Sequence, residues 1–237
     1  MDNAIYASLA RQSGLMREMA VVANNVANAA TAGFRREGVV FAEHVKRLDN
    51  APSLSIGRAS ARHVDLSEGP VERTGGTFDI AIAGDGFFLV ETPAGQRLTR
   101  AGQFLPDAEG TLMTPDGYPL LDAGGAPVIV PPGAADIVIS ADGTLSADGL
   151  PIAQIGLWRP VDATTLRHTA GTLFEAAEVE PAEDGGSFLQ GHLEGSNVNP
   201  VAEIARMIEV SRVYEAGQRL IDREDERIRA VIQTLGK

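Results

Sequence analysis

The chain has 237 residues, a net charge of −12, 26 Gly, 13 Pro and no Cys. That length can bury a substantial core, but so much Gly and Pro argues against one compact helical domain. The absent cysteine excludes disulfides, zinc–thiolate sites and thiol nucleophiles.

No apolar run reaches the roughly 18 residues of a spanning helix, so no membrane insertion is expected. The opening Met1-Asp2-Asn3 lacks a cationic stretch ahead of an apolar one, and no cleaved secretory signal is expected. Residues 77–195 hold 17 acidic and 4 basic side chains. With no Lys/Arg cluster to meet phosphates, nucleic acid is excluded as a partner.

In chain order, the first element is a helix over about residues 3–31. Ile5, Leu9, Gln12, Met16, Met19, Ala23, Val26 and Ala30 follow alternating steps of four and three, the seam spacing of coiled coils. Gly33 supplies its stop. Asn24, Asn25 and Asn28 gather on one side near its end, although Asn is a poor helix former. They read either as a solvated, fraying end or as amides bonding to neighbouring helices and fixing register.

Residues 34–76, punctuated by Pro52, Gly57, Gly69, Pro70, Gly75 and Gly76, read as an extended connector with short strands. From Phe78 short apolar runs alternate with turn signals such as Gly84-Asp85-Gly86, Asp116-Gly117 and Asp142-Gly143. That spacing predicts an antiparallel β domain, barrel-like or sandwich-like, with residues 175–187 as a surface loop. Trp158 is expected in its core. The last element opens with Asn199 as N-cap, Pro200 at the first helical position and Glu203 at the positive end of the dipole. Ile204, Met207, Ser211, Tyr214, Gln218, Ile221, Asp225, Ile228, Ile232 and Leu235 form its seam. Second apolar rows at Leu15, Val22, Val210 and Val231 imply that each helix touches more than one partner.

No chemistry emerges from the polar residues. Gly84-Asp85-Gly86 lacks the third glycine and the following helix of a dinucleotide fingerprint. His44, His63, His168 and His192 share no metal-ligand spacing and read as isolated surface residues. No cofactor is expected. A cell-wall-acting enzyme would need a specific carboxylate pair, and none stands out among the many carboxylates.

Three stretches point further. Ala23-Asn24-Asn25-Val26-Ala27-Asn28-Ala29-Ala30-Thr31-Ala32-Gly33-Phe34 strongly resembles the N-terminal signature of bacterial flagellar rod and hook proteins. Phe78–Phe88 looks like their central segment, and Leu189-Gln190-Gly191 with Glu194–Pro200 through Glu215 looks like their C-terminal signature. Within that family the opening residues and total length resemble the proximal rod branch best, a distal rod or hook-type subunit being the alternative.

The resemblance implies an α+β subunit whose long N- and C-terminal helices pair as a coiled-coil-like assembly domain. It also implies an extended linker and a central antiparallel β domain. The expected divisions are 1–33, 34–76, 77–190 and 191–237, with the last helix pairing with the first. It implies an axial component of the basal body that crosses the periplasm, transmits torque, and leaves the cell by the flagellar type III export apparatus. Its partners would be copies of itself and other rod proteins. The expected assembly interface comprises Ile5, Leu9, Met16, Met19, Asn24, Asn25, Val26, Asn28, Gly33 and Phe34 on the N-terminal side. On the C-terminal side it comprises Asn197, Asn199, Ile204, Met207, Ile208, Tyr214, Ile221 and Ile228. Asp79, Gly84, Asp85, Gly86, Phe87 and Phe88 are expected to shape the β domain.

Overall fold

The computed structural model describes residues 2–48, 51–182 and 185–235, with side chains described outside 2–7, 41–60 and 235. The chain divides into two units. Unit 1 comprises Met1–Ala27, Glu37–His63 and Asn199–Lys237, and unit 2 comprises Asn28–Arg36 and Val64–Val198. Among the described residues no helix is long and apolar enough to cross a membrane.

Unit 1 holds the two long helices, α1 (Asp2–Ala27) and α2 (Pro200–Leu235), about 39 and 54 Å long at 1.5 Å per residue. Helix α1 stops at Ala27, short of residue 31, and the Asn side chains around its end bond to residues beyond it. Asn25 bonds the main chain of Glu37, and Asn28 Oδ1 accepts from the Thr31 hydroxyl at 3.2 Å. Helix α2 is capped by Asn199 Oδ1, which accepts from the N–H groups of Val201 and Ala202, both at 3.1 Å. Strands Glu37–Leu48 and Ala51–Val64 form a two-stranded sheet.

The two helices pack on each other, but not through an apolar heptad seam. The row of α2 that is buried or half-buried runs Glu203, Met207, Val210, Tyr214, Gly217, Ile221, Glu224, Ile228. On α1 it runs Gln12, Leu15, Glu18, Val22, Asn25. Polar and small residues interrupt both rows, whereas Leu9, Met16, Ile204 and Ile208 lie exposed. The coiled-coil reading is therefore corrected. Gln12, Met207, Tyr214, Ile221 and Ile228 of the expected seams lie on the facing rows. Met16, Met19, Ala23, Val26, Ile204, Ser211, Gln218 and Asp225 lie one residue off them, and the rows are too polar for knobs-into-holes packing.

Unit 2 carries the remaining β structure. Its largest sheet has four strands, in the order Arg167–Ala170, Leu173–Glu175, Gly95–Thr99, Phe88–Thr92. Ile80–Ala83 pairs with Ser187–Gln190, and Val71–Arg73 with His192–Glu194, both antiparallel. The expected barrel or sandwich is overturned: among the described residues the sheets have two to four strands and none closes. Turns recur so often that the strands of this unit span only two to five residues. Pieces so short do not sustain the continuous staggered ladder that closure needs. Within residues 175–187, Val179–Pro181 pairs with Trp158–Pro160, so that stretch is not all loop.

Two apolar clusters fill unit 2. One gathers Ile80, Ile82, Phe88, Phe104, Leu112, Leu120 and Phe188 with their neighbours. The other gathers Phe87, Leu89, Leu98, Leu121, Leu166 and Phe174, with Trp158 packed half-buried against it. Because successive strand side chains face opposite ways, Phe87 and Leu89 serve one cluster while Phe88 serves the other. The run Phe87-Phe88-Leu89-Val90 is apolar throughout because both faces of its strand are covered.

Candidate functional site

Two polar centres are built from the signature segments, one in each unit. In unit 1 the centre is Asn25, fully buried near the end of α1. Its Oδ1 accepts from Glu37 N–H at 3.0 Å, and its Nδ2 donates to Glu37 C=O at 2.9 Å and to Glu203 Oε2 at 3.1 Å. The amide thus pairs with the Glu37 backbone as a neighbouring strand would, and also reaches the first turn of α2. Further along the helix pair, Arg206 Nε donates to Glu18 Oε1 at 2.7 Å and Gln12 Nε2 donates to Tyr214 C=O at 3.3 Å. Arg206 sits above its ordinary pKa: burial works against its charge, and the bonds from Glu18 and Glu209 outweigh that.

In unit 2 the centre is a buried carboxylate between two arginines. Arg35 Nη1 lies 2.6 Å from Glu194 Oε1, and Arg100 Nε lies 2.8 Å from Glu194 Oε2, the three side chains being 2 %, 2 % and 1 % exposed. The Arg100 contact is close, but its N–H is not aimed for a hydrogen bond, so the attraction there is mainly coulombic. Backbone groups complete the site. Arg35 Nη1 donates to Ser67 C=O at 2.5 Å, and Gly69 N–H donates to Glu194 Oε1 at 2.9 Å. Burial pulls the Arg35 guanidinium below its ordinary pKa, with Glu194 opposing and Arg100 adding to the shift.

The Gly84-Asp85-Gly86 turn has its use here. Both glycines adopt positive φ (99° and 126°), and their carbonyls accept from Arg100 Nη1 at 3.0 and 2.6 Å. The turn holds a guanidinium and not a phosphate. Gly33 closes the same region: its N–H donates to Glu194 C=O at 2.7 Å, and a Cβ there would lie 2.2 Å from Ala101 N. Phe34 is buried beside it, its ring stacked on His168 at 5.0 Å, and His168 Nε2 is 2.8 Å from Arg35 C=O. His168 is therefore a packed residue, unlike the exposed His63; its partners come from the far end of the unit and left no local pattern. Asn197 Oδ1 accepts from Arg36 N–H at 2.6 Å while its Nδ2 donates to Asp65 C=O and Ser67 C=O.

The remaining expected interface residues divide by exposure. Leu9, Met16, Asn24, Ile204 and Ile208 are exposed, while Met19, Val26, Asn28, Met207, Tyr214, Ile221 and Ile228 are half-buried. The Ile5 side chain lies outside the described residues, as does that of His44. In the β unit Asp79 Oδ2 accepts from the Thr74 hydroxyl at 2.5 Å, and Asp85 is exposed with its C=O accepting from Gly186 N–H. Arg35, Arg100, Glu18, Glu37 and Arg206 are polar residues that no sequence pattern marked; Glu203, expected at the positive end of the helix dipole, also accepts from Asn25. Among the described residues no group of three or more His, Asp or Glu could hold a metal.

Comparison with known proteins follows the same segments. Residues 5–35 match the family described as flagella basal body rod protein, and residues 81–147 match the flagellar hook protein FlgE/F/G D1 domain. Residues 189–234 match the flagellar basal body rod FlgEFG protein C-terminal family. The chain is 37% identical over 244 residues to the flagellar basal-body rod protein FlgF of Caulobacter vibrioides, covering 100% of this chain and 99% of that one. The chain belongs to the flagellar basal-body rod protein family. It is also 35% identical to FlgF of Escherichia coli, over 95% of each chain, and 29% identical to FlgG of Bacillus subtilis, over 98% of each. Each of the three matched segments supplies one member of the Arg35–Arg100–Glu194 cluster.

Proposed function

We infer that this chain is a structural subunit of the flagellar basal-body rod, of the FlgF type, and that its work is assembly and load-bearing, not catalysis. The observation that carries this is the 37% identity to a FlgF across essentially the whole of both chains. Identity to the FlgF relatives, 37% and 35%, exceeds the 29% to the FlgG relative, which favours the FlgF type. The helices of unit 1 serve as the assembly elements, with Leu9, Met16, Ile204 and Ile208 offering apolar surface to neighbouring subunits. Those neighbours are copies of this chain and other rod proteins. Passage through the flagellar type III export apparatus and residence in the periplasm-spanning rod complete the reading.

Gly33, Phe34 and Asn197 enter this account as residues that shape the subunit, since their contacts within unit 2 are already extensive. The test is genetic and biochemical: delete the gene, restore a tagged copy, and purify basal bodies. The reading expects non-motile deletion cells, restored motility, and the tagged chain in the rod fraction. A tagged chain recovered only as a free soluble species in motile cells would refute it.

A further inference from the structure

The helix pair of unit 1 is joined by a polar ladder that runs antiparallel. Going up α1, Gln12, Glu18 and Asn25 meet Tyr214, Arg206 and Glu203 going down α2. We propose that this ladder is a register lock, which fixes both the sliding position and the rotation of α1 against α2. By doing so it decides which apolar rows stay on the outside. The proposal concerns a single copy and stands whether or not the rod reading holds.

The apolar residues on the facing rows, Leu15, Val22 and Val210, attract without direction and tolerate displacement. The ladder does not. Sliding by one helical turn, three or four residues, brings Glu18 level with Glu203 in one direction and with Glu209 or Val210 in the other. A buried carboxylate would then face a second carboxylate or an apolar side chain, and Arg206 would lose its partner on α1, keeping Glu209 on its own helix. The same slide strips Asn25 from Glu203.

Rotation is fixed by the same contacts. At about 100° per residue, Leu9 and Met16 lie well over 90° around α1 from the centre of its facing row. Ile204 and Ile208 stand similarly apart on α2. Gln12, Glu18, Asn25 and Glu203 stand on the facing rows as directing contacts, whereas Leu9, Met16, Ile204 and Ile208 point outward and remain to be covered.

The absence of native cysteine allows a direct test. Leu15 lies midway between Gln12 and Glu18, and Val210 midway between Arg206 and Tyr214, so the lock places these positions opposite each other. Full-length Leu15→Cys/Val210→Cys protein, treated with a short bis-maleimide, should cross-link within the molecule. Adding Glu18→Arg should lower the yield about tenfold, the equivalent of about 1.4 kcal/mol. Adding Arg206→Glu to that variant should restore the yield. If Glu18→Arg merely unfolds the helices, the charge-swapped chain still decides, because the lock requires it to recover both helix and cross-link. Unchanged cross-linking in Glu18→Arg, or failure of the swap to restore it, would overturn the proposal.

Discussion

Glu194 lies 2.6 Å from Arg35 and is almost fully shielded from water, as is Arg35 itself. A second arginine, Arg100, approaches the same carboxylate, so one anion answers two buried cations and backbone carbonyls complete their solvation. Removing one partner of a buried ion pair typically costs about 3–5 kcal/mol, because the charge left behind stays buried. Glu194→Gln is therefore expected to lower the stability of unit 2 by that order. Urea unfolding followed by the fluorescence of Trp158, the one tryptophan in the chain, reads unit 2 alone. An unchanged midpoint would show that the carbonyls suffice for both guanidinium groups.

Two glycines of unit 2 should respond differently to alanine. A Cβ at Gly102 would lie 1.6 Å from Ile80 C=O, which no side-chain motion can relieve. Gly102→Ala should prevent the native packing of unit 2. Gly117, at φ +81°, has open space around it, so Gly117→Ala should cost only about 1–2 kcal/mol of backbone strain. Comparing the near-ultraviolet circular dichroism of the two variants checks this contrast.

Asn25→Ala takes away the side-chain partner of the buried N–H and C=O of Glu37 and one hydrogen bond to Glu203. Each unsatisfied group costs about 1–3 kcal/mol. Loss of helical circular dichroism and of hydrogen-exchange protection at Glu37 should follow, with Trp158 fluorescence unchanged. Protection at Glu37 equal to that of the parent chain would contradict the clamp.

Asp142 and Asp162 are exposed carboxylates held below the ordinary carboxylate range. For Asp142 the N–H of Thr144 leads and its hydroxyl follows; for Asp162 the hydroxyl of Thr164 leads and its N–H follows. A depressed carboxylate stabilises the fold above its unfolded pKa, and that contribution fades as pH falls through the lower folded value. Carbon-detected NMR titration should find both groups ionised at pH values where free aspartate is protonated. Thr164→Val should move Asp162 upward while leaving Asp142 in place.

Much of unit 1 was legible because its signals are local. The cap Asn199-Pro200, the helical spacing, and the poor helix-forming Asn residues all act within a turn or two. The phase of the facing rows was not, since apolar residues occupy adjacent positions such as Leu15 and Met16, and a period near 3.5 fits either. Gln12, the one polar residue of the expected α1 seam, is a contact to the α2 backbone. In unit 2 the turns were legible from their glycines, but closure was not. Which strand pairs with which depends on distant partners, as when Ser187–Gln190 joins Ile80–Ala83. Arg35, Arg100 and Glu194 sit far apart in sequence, and nothing local marks three ordinary charges as one buried cluster.

On the proposed function, this subunit builds rod through apolar surface left outside its own fold. Ile208, 49 % exposed on α2, tests it most directly. Burying such a side chain against a neighbour contributes about 1.5–3 kcal/mol, and an unpaired buried charge reverses that gain. The measurement is the amount of Ile208→Asp protein in purified basal bodies, with circular dichroism and Trp158 fluorescence recorded on the free subunit. The account predicts a normally folded subunit that is absent from rods, in cells that do not swim. Wild-type incorporation and swimming by the Ile208→Asp strain would contradict it.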